Sequence, residues 1–65
     1  MTDFKARVQD EKRELDIRRG KLEHFFLTPK WAELPRAEQD RLMRQSVAME
    51  QYSHVLFERL EADFQ

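Results

Sequence analysis

Three polar side chains recur every seven residues in the C-terminal half of the chain: Gln45, Tyr52 and Arg59. Residues spaced by seven lie on one side of an α-helix, so these side chains form a line, here called the polar ladder. Arginine matches the geometry of phosphate groups with a fork of N–H donors, and a tyrosine ring stacks on a nucleobase. The ladder therefore suits a ligand that carries both a base and a phosphate.

Two polar residues of the N-terminal half fit the same site. Glu11 belongs to another line of residues seven apart, and Arg7 lies one helical turn before it. In an antiparallel hairpin the start of the first helix lies beside the end of the second, which brings both residues toward Tyr52 and Arg59. The predicted ligand-binding residues are Arg7, Glu11, Gln45, Tyr52 and Arg59.

Four of these side chains, Arg7, Glu11, Tyr52 and Arg59, also have a structural interpretation. They can form inter-helix ion pairs and a satisfied hydroxyl group that fix helix register or partner choice. The residues alone favour this interpretation, because mixed charges at the edges of a helical seam are common in coiled coils. Both interpretations stay open at this point.

The sequence carries no recognisable catalytic or metal-binding pattern. The two histidines, His24 and His54, fall on different predicted helices, and neither belongs to a His-Glu-x-x-His motif. No glycine-rich phosphate loop occurs either. We therefore predict that the protein is not an enzyme and has no catalytic residues, metal ligands or cofactor.

Charge and hydropathy limit the function classes further. Twelve lysines and arginines stand against 13 acidic residues, which leaves a formal net charge of −1. A general nucleic-acid-binding protein would normally have a strong basic excess. No stretch approaches the roughly 20 apolar residues that cross a bilayer, and the first residues lack the apolar region of a signal peptide. We expect an intracellular protein with no membrane span.

Apolar residues at seven-residue spacing predict two long helices, at about residues 3–26 and about residues 35–62. Their apolar lines are Val8, Leu15 and Leu22 in the first helix and Leu42, Met49 and Leu56 in the second. This spacing is typical of a coiled-coil-like seam, so the helices are predicted to pack along these lines.

Two prolines separate the predicted helices. Pro29 and Pro35 each push the preceding residue out of the helical conformation and fit the first position of a new helix. They predict a turn or short helix at about residues 28–34. Since a short connection usually joins antiparallel neighbours, the predicted fold is all-α, a single antiparallel helical hairpin over residues 1–65.

The predicted hairpin has a thin core. A chain of 65 residues buries only about 60% of its unfolded surface, and such a core rarely yields more than roughly 3–5 kcal/mol. The absence of cysteine excludes disulfides, so oligomerisation is the remaining source of stability. We predict a homo-oligomeric helix bundle, either a dimer or a tetramer.

Nearly the whole chain carries a pattern of heptad positions with a loop signature. Its parts are Arg7-Val8-x-x-Glu11, Leu15, Lys21-Leu22-x-x-Phe25, Leu34-Pro35-x-x-Glu38-Gln39, Leu42, Gln45, Met49, Tyr52, Leu56 and Arg59. This pattern resembles small helical proteins of tailed bacteriophages, including crAss-like phages. The resemblance implies a phage accessory protein that acts in the host cytoplasm, and it identifies no reaction.

Small oligomeric helical phage proteins of this kind are similar to counter-defence sponges. Such sponges sequester the cyclic nucleotide or cyclic ADP-ribose signals of bacterial immune systems such as CBASS and Thoeris. The resemblance implies that this chain binds a nucleotide-derived signal without turnover, where protomers meet. The assignment of that site to the polar ladder, Arg7 and Glu11 is our inference from helical spacing. The chain departs from the expected sponge in having no net positive charge.

A second function class is a structural or protein-interaction module. Such a module would dock on a host or phage protein through the aromatic turn around Trp31 and the helical seam, and the polar ladder would then only specify helix pairing. This alternative predicts a stoichiometric protein partner that is lost on Trp31→Ala and is indifferent to nucleotides.

Overall fold

The fold consists of two long helices joined by a short helical turn. The computed structural model describes the backbone of residues 2–62 and the side chains of residues 3–62. Within this range the helices are α1 (Thr2–Phe25), α2 (Pro29–Glu33) and α3 (Arg36–Glu61), and no strand occurs. The all-α prediction with two long helices is confirmed. The predicted domain also contains residue 1 and residues 63–65, which lie outside the described residues.

Both prolines stand where the chain leaves the helical conformation. Thr28 and Leu34 are extended, with φ and ψ of −96° and 156° for Thr28 and −72° and 147° for Leu34. The proline ring disfavours the helical region for the residue before it, so α2 starts at Pro29 and ends before Pro35. The Thr28 hydroxyl donates back to the Phe25 carbonyl at 2.7 Å and makes no capping bond to α2.

Aromatic side chains close the turn between the long helices. The Trp31 ring packs 4.5 Å from the Phe26 ring and meets Phe25 edge-on at 6.2 Å between centroids. The Gln39 amide donates to the Trp31 carbonyl at 2.7 Å, which ties the start of α3 to α2. The turn is therefore held by its own side chains.

The core of the hairpin is a short apolar seam. Val8, Leu15 and Leu56 are its buried apolar side chains in the described range, and Met49 and Leu60 pack against them. These residues occupy the predicted apolar lines, with Leu60 one turn beyond Leu56. None of the described helices is long and apolar enough to cross a membrane.

Replacing Gly20 with alanine should stabilise the hairpin. Gly20 is exposed in the interior of α1, and a Cβ added there would meet no atom within 4 Å. Glycine costs roughly 0.5–1 kcal/mol relative to alanine inside a helix, so Gly20→Ala should raise the free energy of unfolding by about that amount in urea titrations. Ala6→Gly, also at an exposed position of α1, should change it by a similar amount in the opposite direction. A loss of stability in Gly20→Ala would instead indicate a close contact that the single hairpin lacks.

Candidate functional site

A polar cluster lies in the seam between the long helices, at the middle of the hairpin. Asp16 accepts three hydrogen bonds: from Lys12 Nζ at 2.7 Å, from Arg19 Nη1 at 3.0 Å and from Ser53 Oγ at 2.6 Å. The Ser53 bond crosses from α3 to α1, and the other two lie along α1. These four residues are named the Asp16 cluster.

Helix geometry explains how α1 assembles its part of the cluster. Lys12 and Arg19 stand four residues before and three residues after Asp16, the spacings at which side chains meet on a helix surface. Both cationic side chains are only about one quarter exposed (25% and 26%), and Ser53 is 3% exposed. Charged and hydroxyl groups therefore occupy seam positions where apolar side chains would have enlarged a small core.

The cluster keeps Asp16 ionised far into the acid range. Hydrogen bonds from Lys12 and Ser53 lower the pKa of Asp16 from 3.8 to about 2. Partial burial opposes this shift, and the Arg19 hydrogen bond adds a smaller lowering. At neutral pH the cluster therefore holds a carboxylate between two cations.

Ser53→Ala should destabilise the hairpin by about 1 kcal/mol at pH 6, because Asp16 loses its inter-helix donor. The lowered pKa stabilises the fold above pH 3.8, and this contribution is lost as the pH falls toward about 2. The effect of Ser53→Ala should consequently be smaller at pH 2 than at pH 6, as measured by urea unfolding. Ser46→Ala, one heptad earlier on the same line, should change stability by less than about 0.5 kcal/mol at both pH values. An equal loss at both pH values would contradict the proposed dependence on the Asp16 carboxylate.

A groove runs along α1 and α3 beside the cluster. Its volume is about 270 Å³, and its lining residues are Lys12, Arg19, Glu50, Ser53, His54 and Phe57. It is named the Phe57 groove. A second hollow of about 460 Å³ lies beside Lys12 and Asp16 toward Leu60. Lys12 thus lines both hollows.

An aromatic surface forms the α3 side of the Phe57 groove. The Phe57 ring is 48% exposed and stacks with the His54 ring at 6.4 Å between centroids and 24° between planes. His54 Nε2 lies 3.0 Å from a carboxylate oxygen of Glu58 on the exposed side of α3. The groove thus joins two cations to a flat, partly exposed aromatic surface.

The five residues predicted from the sequence lie elsewhere. Arg7, Glu11 and Gln45 are exposed, Tyr52 is 44% exposed, and Arg59 is partly buried with its guanidinium 5.2 Å from the centre of the Phe4 ring. Among the described residues, no hydrogen bond or ion pair joins any two of the five. The polar ladder therefore runs beside the seam of the single hairpin, with Gln45 and Tyr52 exposed and Arg59 partly buried.

The rotation of the helices explains this position. A residue four positions after a seam residue lies about 40° from the seam line, whereas one three positions after it lies about 60° away on the other side. The two long helices face each other on the side that lies about 40° from the seam line. Ser53, four residues after Met49, is therefore buried, whereas Tyr52, three residues after Met49, is exposed. Lys12 stands four residues after Val8 and enters the seam for the same reason.

The hairpin nevertheless places part of the predicted set along one face. Antiparallel helices advance by about 1.5 Å per residue in opposite directions. Since Arg59 lies over Phe4, Glu11, seven residues later on α1, is level with Tyr52, seven residues earlier on α3. This side of the hairpin, with Phe4 and Glu11 on α1 and the polar ladder on α3, is named the ladder face. It lies on the opposite side of the seam from the Phe57 groove.

From the sequence, Lys12, Asp16 and Arg19 are predicted to belong to a solvated, salt-bridged surface, with an anion-contacting patch as the minor alternative, and Ser53 was missed. The sequence does contain a signal for the cluster: in each long helix, polar residues stand four positions after the residues of the apolar line. Lys12 and Arg19 follow Val8 and Leu15 in this way, and Ser46 and Ser53 follow Leu42 and Met49. In the part of the chain that the structure describes, no group of three or more histidine, cysteine, aspartate or glutamate side chains is arranged to hold a metal ion. His24 lies in the last turn of α1, on a different helix from His54.

The chain is similar to known proteins at the level of a family model. A family model described as Sequestin matches residues 2–62, which is nearly the whole chain. No curated protein matches, and no solved structure matches.

Proposed function

This chain belongs to the Sequestin family, and on that premise we propose that it binds a nucleotide-derived immune signal and sequesters it without turnover. The family match over residues 2–62 is the observation that carries the proposal, since the family name indicates that a small molecule is sequestered. The resemblance to phage counter-defence sponges supplies the finer part, a cyclic oligonucleotide or a cyclic ADP-ribose compound of CBASS or Thoeris type. Such signals arise in the host cytoplasm, where the protein would act.

Sequestration suits what this hairpin offers chemically. A sponge needs affinity and no acid, base or metal, and its only requirement on the site is that polar and aromatic groups fit the ligand. The Phe57 groove combines the Lys12 and Arg19 cations with an exposed aromatic ring. These groups fit a ligand with phosphates and a base.

We also propose that the active form is a homo-oligomer. The chain has an accessible surface of 5351 Å², whereas a compact monomer of 8.0 kDa would expose about 4,450 Å². The extra surface reflects the elongated hairpin, which measures 49 × 15 × 12 Å, and a second copy would cover part of it. A second copy of the chain would also supply the stability that three buried apolar side chains do not.

The second copy is proposed to pack on α3. Five of the eight large apolar side chains that are exposed in the described range belong to this helix: Met43, Val47, Tyr52, Val55 and Phe57. On the ladder face, Gln45, Ala48, Tyr52, Val55 and Arg59 alternate at spacings of three and four, as in a coiled-coil seam. Two of the five exposed apolar side chains, Tyr52 and Val55, lie on this face. On the basis of the heptad-like spacing we propose the ladder face as the contact between protomers, in a dimer or a tetramer.

Ligand binding by Arg7, Glu11, Gln45, Tyr52 and Arg59 remains a prediction. Four of the five are exposed on the single hairpin, so a pocket there would also need side chains of the second copy to enclose the ligand.

The protein-docking alternative depended on the aromatic turn. There Trp31 is partly buried against Phe25 and Phe26, and Leu27, 82% exposed, is the large apolar side chain that the turn leaves open.

Native mass spectrometry would test the proposal directly. The protein would be purified from cells that express an active CBASS or Thoeris signal synthase and, as a control, from cells without one. We expect a multiple of the 8.0 kDa chain with a nucleotide-sized addition that is absent from the control. The compound released by denaturation should have the mass of the intact signal, because no turnover occurs. An oligomer without any addition would contradict sequestration and favour protein docking.

A further inference from the structure

We propose that the Phe57 groove is the ligand site, with Lys12 and Arg19 binding a phosphate of the nucleotide and Phe57 stacking on its base. This assignment rests on the proposed function for the class of ligand. The site itself comes from the geometry of the seam, and it differs from the five residues predicted from the sequence.

The two cations have N–H donors to spare. Within the described residues, Lys12 and Arg19 each donate one hydrogen bond, and both bonds go to Asp16. A lysine ammonium has three N–H donors and an arginine guanidinium has five, so most of the donors are available to a ligand. Asp16 holds both side chains in place while its own pKa stays near 2. The carboxylate thus pre-orders two cations that a phosphate can reach from the groove.

The composition of the seam favours a binding role over a purely structural one. Lys12 and Arg19 lie in the half-buried seam of a hairpin whose buried apolar core in the described range is three side chains. Replacing buried ion pairs with apolar residues of similar volume is often neutral or stabilising. Ser53 fixes the register, and Lys12 alone would balance the charge of the Asp16 carboxylate, so the second cation exceeds what the hairpin needs. A ligand phosphate accounts for it.

The α3 side of the groove supplies the remaining contacts of a nucleotide. The exposed face of Phe57, extended by the stacked His54 ring, can receive a base, since stacking on aromatic side chains tolerates any base. Glu50 also lines the groove and provides a carboxylate that accepts hydrogen bonds from ribose hydroxyl groups. A bare anion would gain nothing from either group. The site should therefore bind a nucleotide more tightly than inorganic pyrophosphate.

The groove stays accessible in the proposed oligomer. Phe57 and Tyr52 are five residues apart on α3, which separates their directions by about 140° around the helix axis. A second copy on the ladder face consequently leaves the Phe57 groove open. Ligand binding and assembly can then be changed by different substitutions.

Calorimetric titration of the full chain with cyclic di-AMP, cyclic ADP-ribose, ADP and pyrophosphate would test the assignment. The double variant Lys12→Met with Arg19→Met should lower the affinity for the best ligand by roughly 100-fold, because it removes two charge-assisted contacts. Phe57→Ala, which leaves the Asp16 cluster intact, should lower it by roughly 10-fold. The matched control is Lys21→Met with Arg44→Met, which removes the same charge from exposed positions and should retain the wild-type affinity.

A second comparison separates the groove from the polar ladder. Tyr52→Ala with Arg59→Ala should retain most of the affinity if the ligand lies in the Phe57 groove. The assignment is overturned if this variant loses binding while the Lys12 and Arg19 variant and Phe57→Ala bind like the wild type. In that case the protein still sequesters the ligand, but the binding site is the polar ladder and not the Phe57 groove. If the wild-type protein binds none of the four compounds, the proposed ligand class fails together with the site. Circular dichroism of each variant would confirm that the helices are retained.

Discussion

Leu56→Ala should leave the single hairpin largely unfolded at room temperature. Leu56 is fully buried (0% exposed) and packs with Val8 and Leu15 at the centre of the core. Truncation of a buried leucine to alanine costs roughly 2–5 kcal/mol, and a core of this size yields only about 3–5 kcal/mol in total. In dilute solution the midpoint of thermal unfolding, followed by circular dichroism, should fall by at least about 10 °C.

Leu27→Ala is the matched control for this substitution. It makes the same chemical change in the turn, where Leu27 is 82% exposed, so the unfolding midpoint should change by no more than about 3 °C. Higher protein concentration should partly restore the helical signal of Leu56→Ala, since assembly stabilises the folded form by mass action. A variant that unfolds like the wild type would show that the seam between α1 and α3 contributes little of the stability.

The seam and its turn could be predicted because local rules determine them. Leu56 belongs to a line of apolar residues seven apart, and such spacing keeps side chains on one face of a helix in any context. Pro29 and Pro35 act on their immediate neighbours through the shape of the proline ring. Neither effect depends on how one helix is rotated against the other.

The side of the seam could not be predicted in this way. Tyr52 and Ser53 flank the same apolar line, and local sequence allows either to face α1. The packing of the whole hairpin decides between them, and it buries the smaller side chain, Ser53, next to Asp16. The sequence interpretation gave weight to Tyr52 and Arg59 because these residue types suit ligands. Serine at a seam position is a weaker signal, although a buried hydroxyl requires a partner and so indicates a polar residue opposite.

The same rotation explains why the Asp16 cluster was not foreseen. Lys12, Asp16 and Arg19 alternate with other charges along α1, and such runs usually form a solvated surface. Their role depends on Ser53, which is 37 residues away in sequence. A contact of that kind becomes visible only when the register of α1 against α3 is known.

Val55→Glu should convert the proposed oligomer into single chains. Val55 is 49% exposed and lies between Tyr52 and Arg59 on the ladder face. In a single hairpin the substitution falls on the surface and should change stability by less than about 0.5 kcal/mol. At a contact between protomers it would replace an apolar contact with a carboxylate that loses its hydration, which costs about 3 kcal/mol and weakens association by roughly 100-fold. Light scattering coupled to gel filtration should then give a mass near 8.0 kDa.

Val47→Glu provides a matched control on the same helix. Val47 is exposed to a similar extent (53%), but it is eight residues before Val55, which turns it about 80° away from the ladder-face position. Its variant should keep the oligomeric mass of the wild-type protein if the ladder face is the contact. The opposite result, a single chain with Val47→Glu and an intact oligomer with Val55→Glu, would move the contact to the other flank of α3. Glu50 and His54 line both the hollow beside Val47 and the Phe57 groove, so assembly there would restrict access to the groove, and ligand binding and oligomerisation would no longer be separable by substitution.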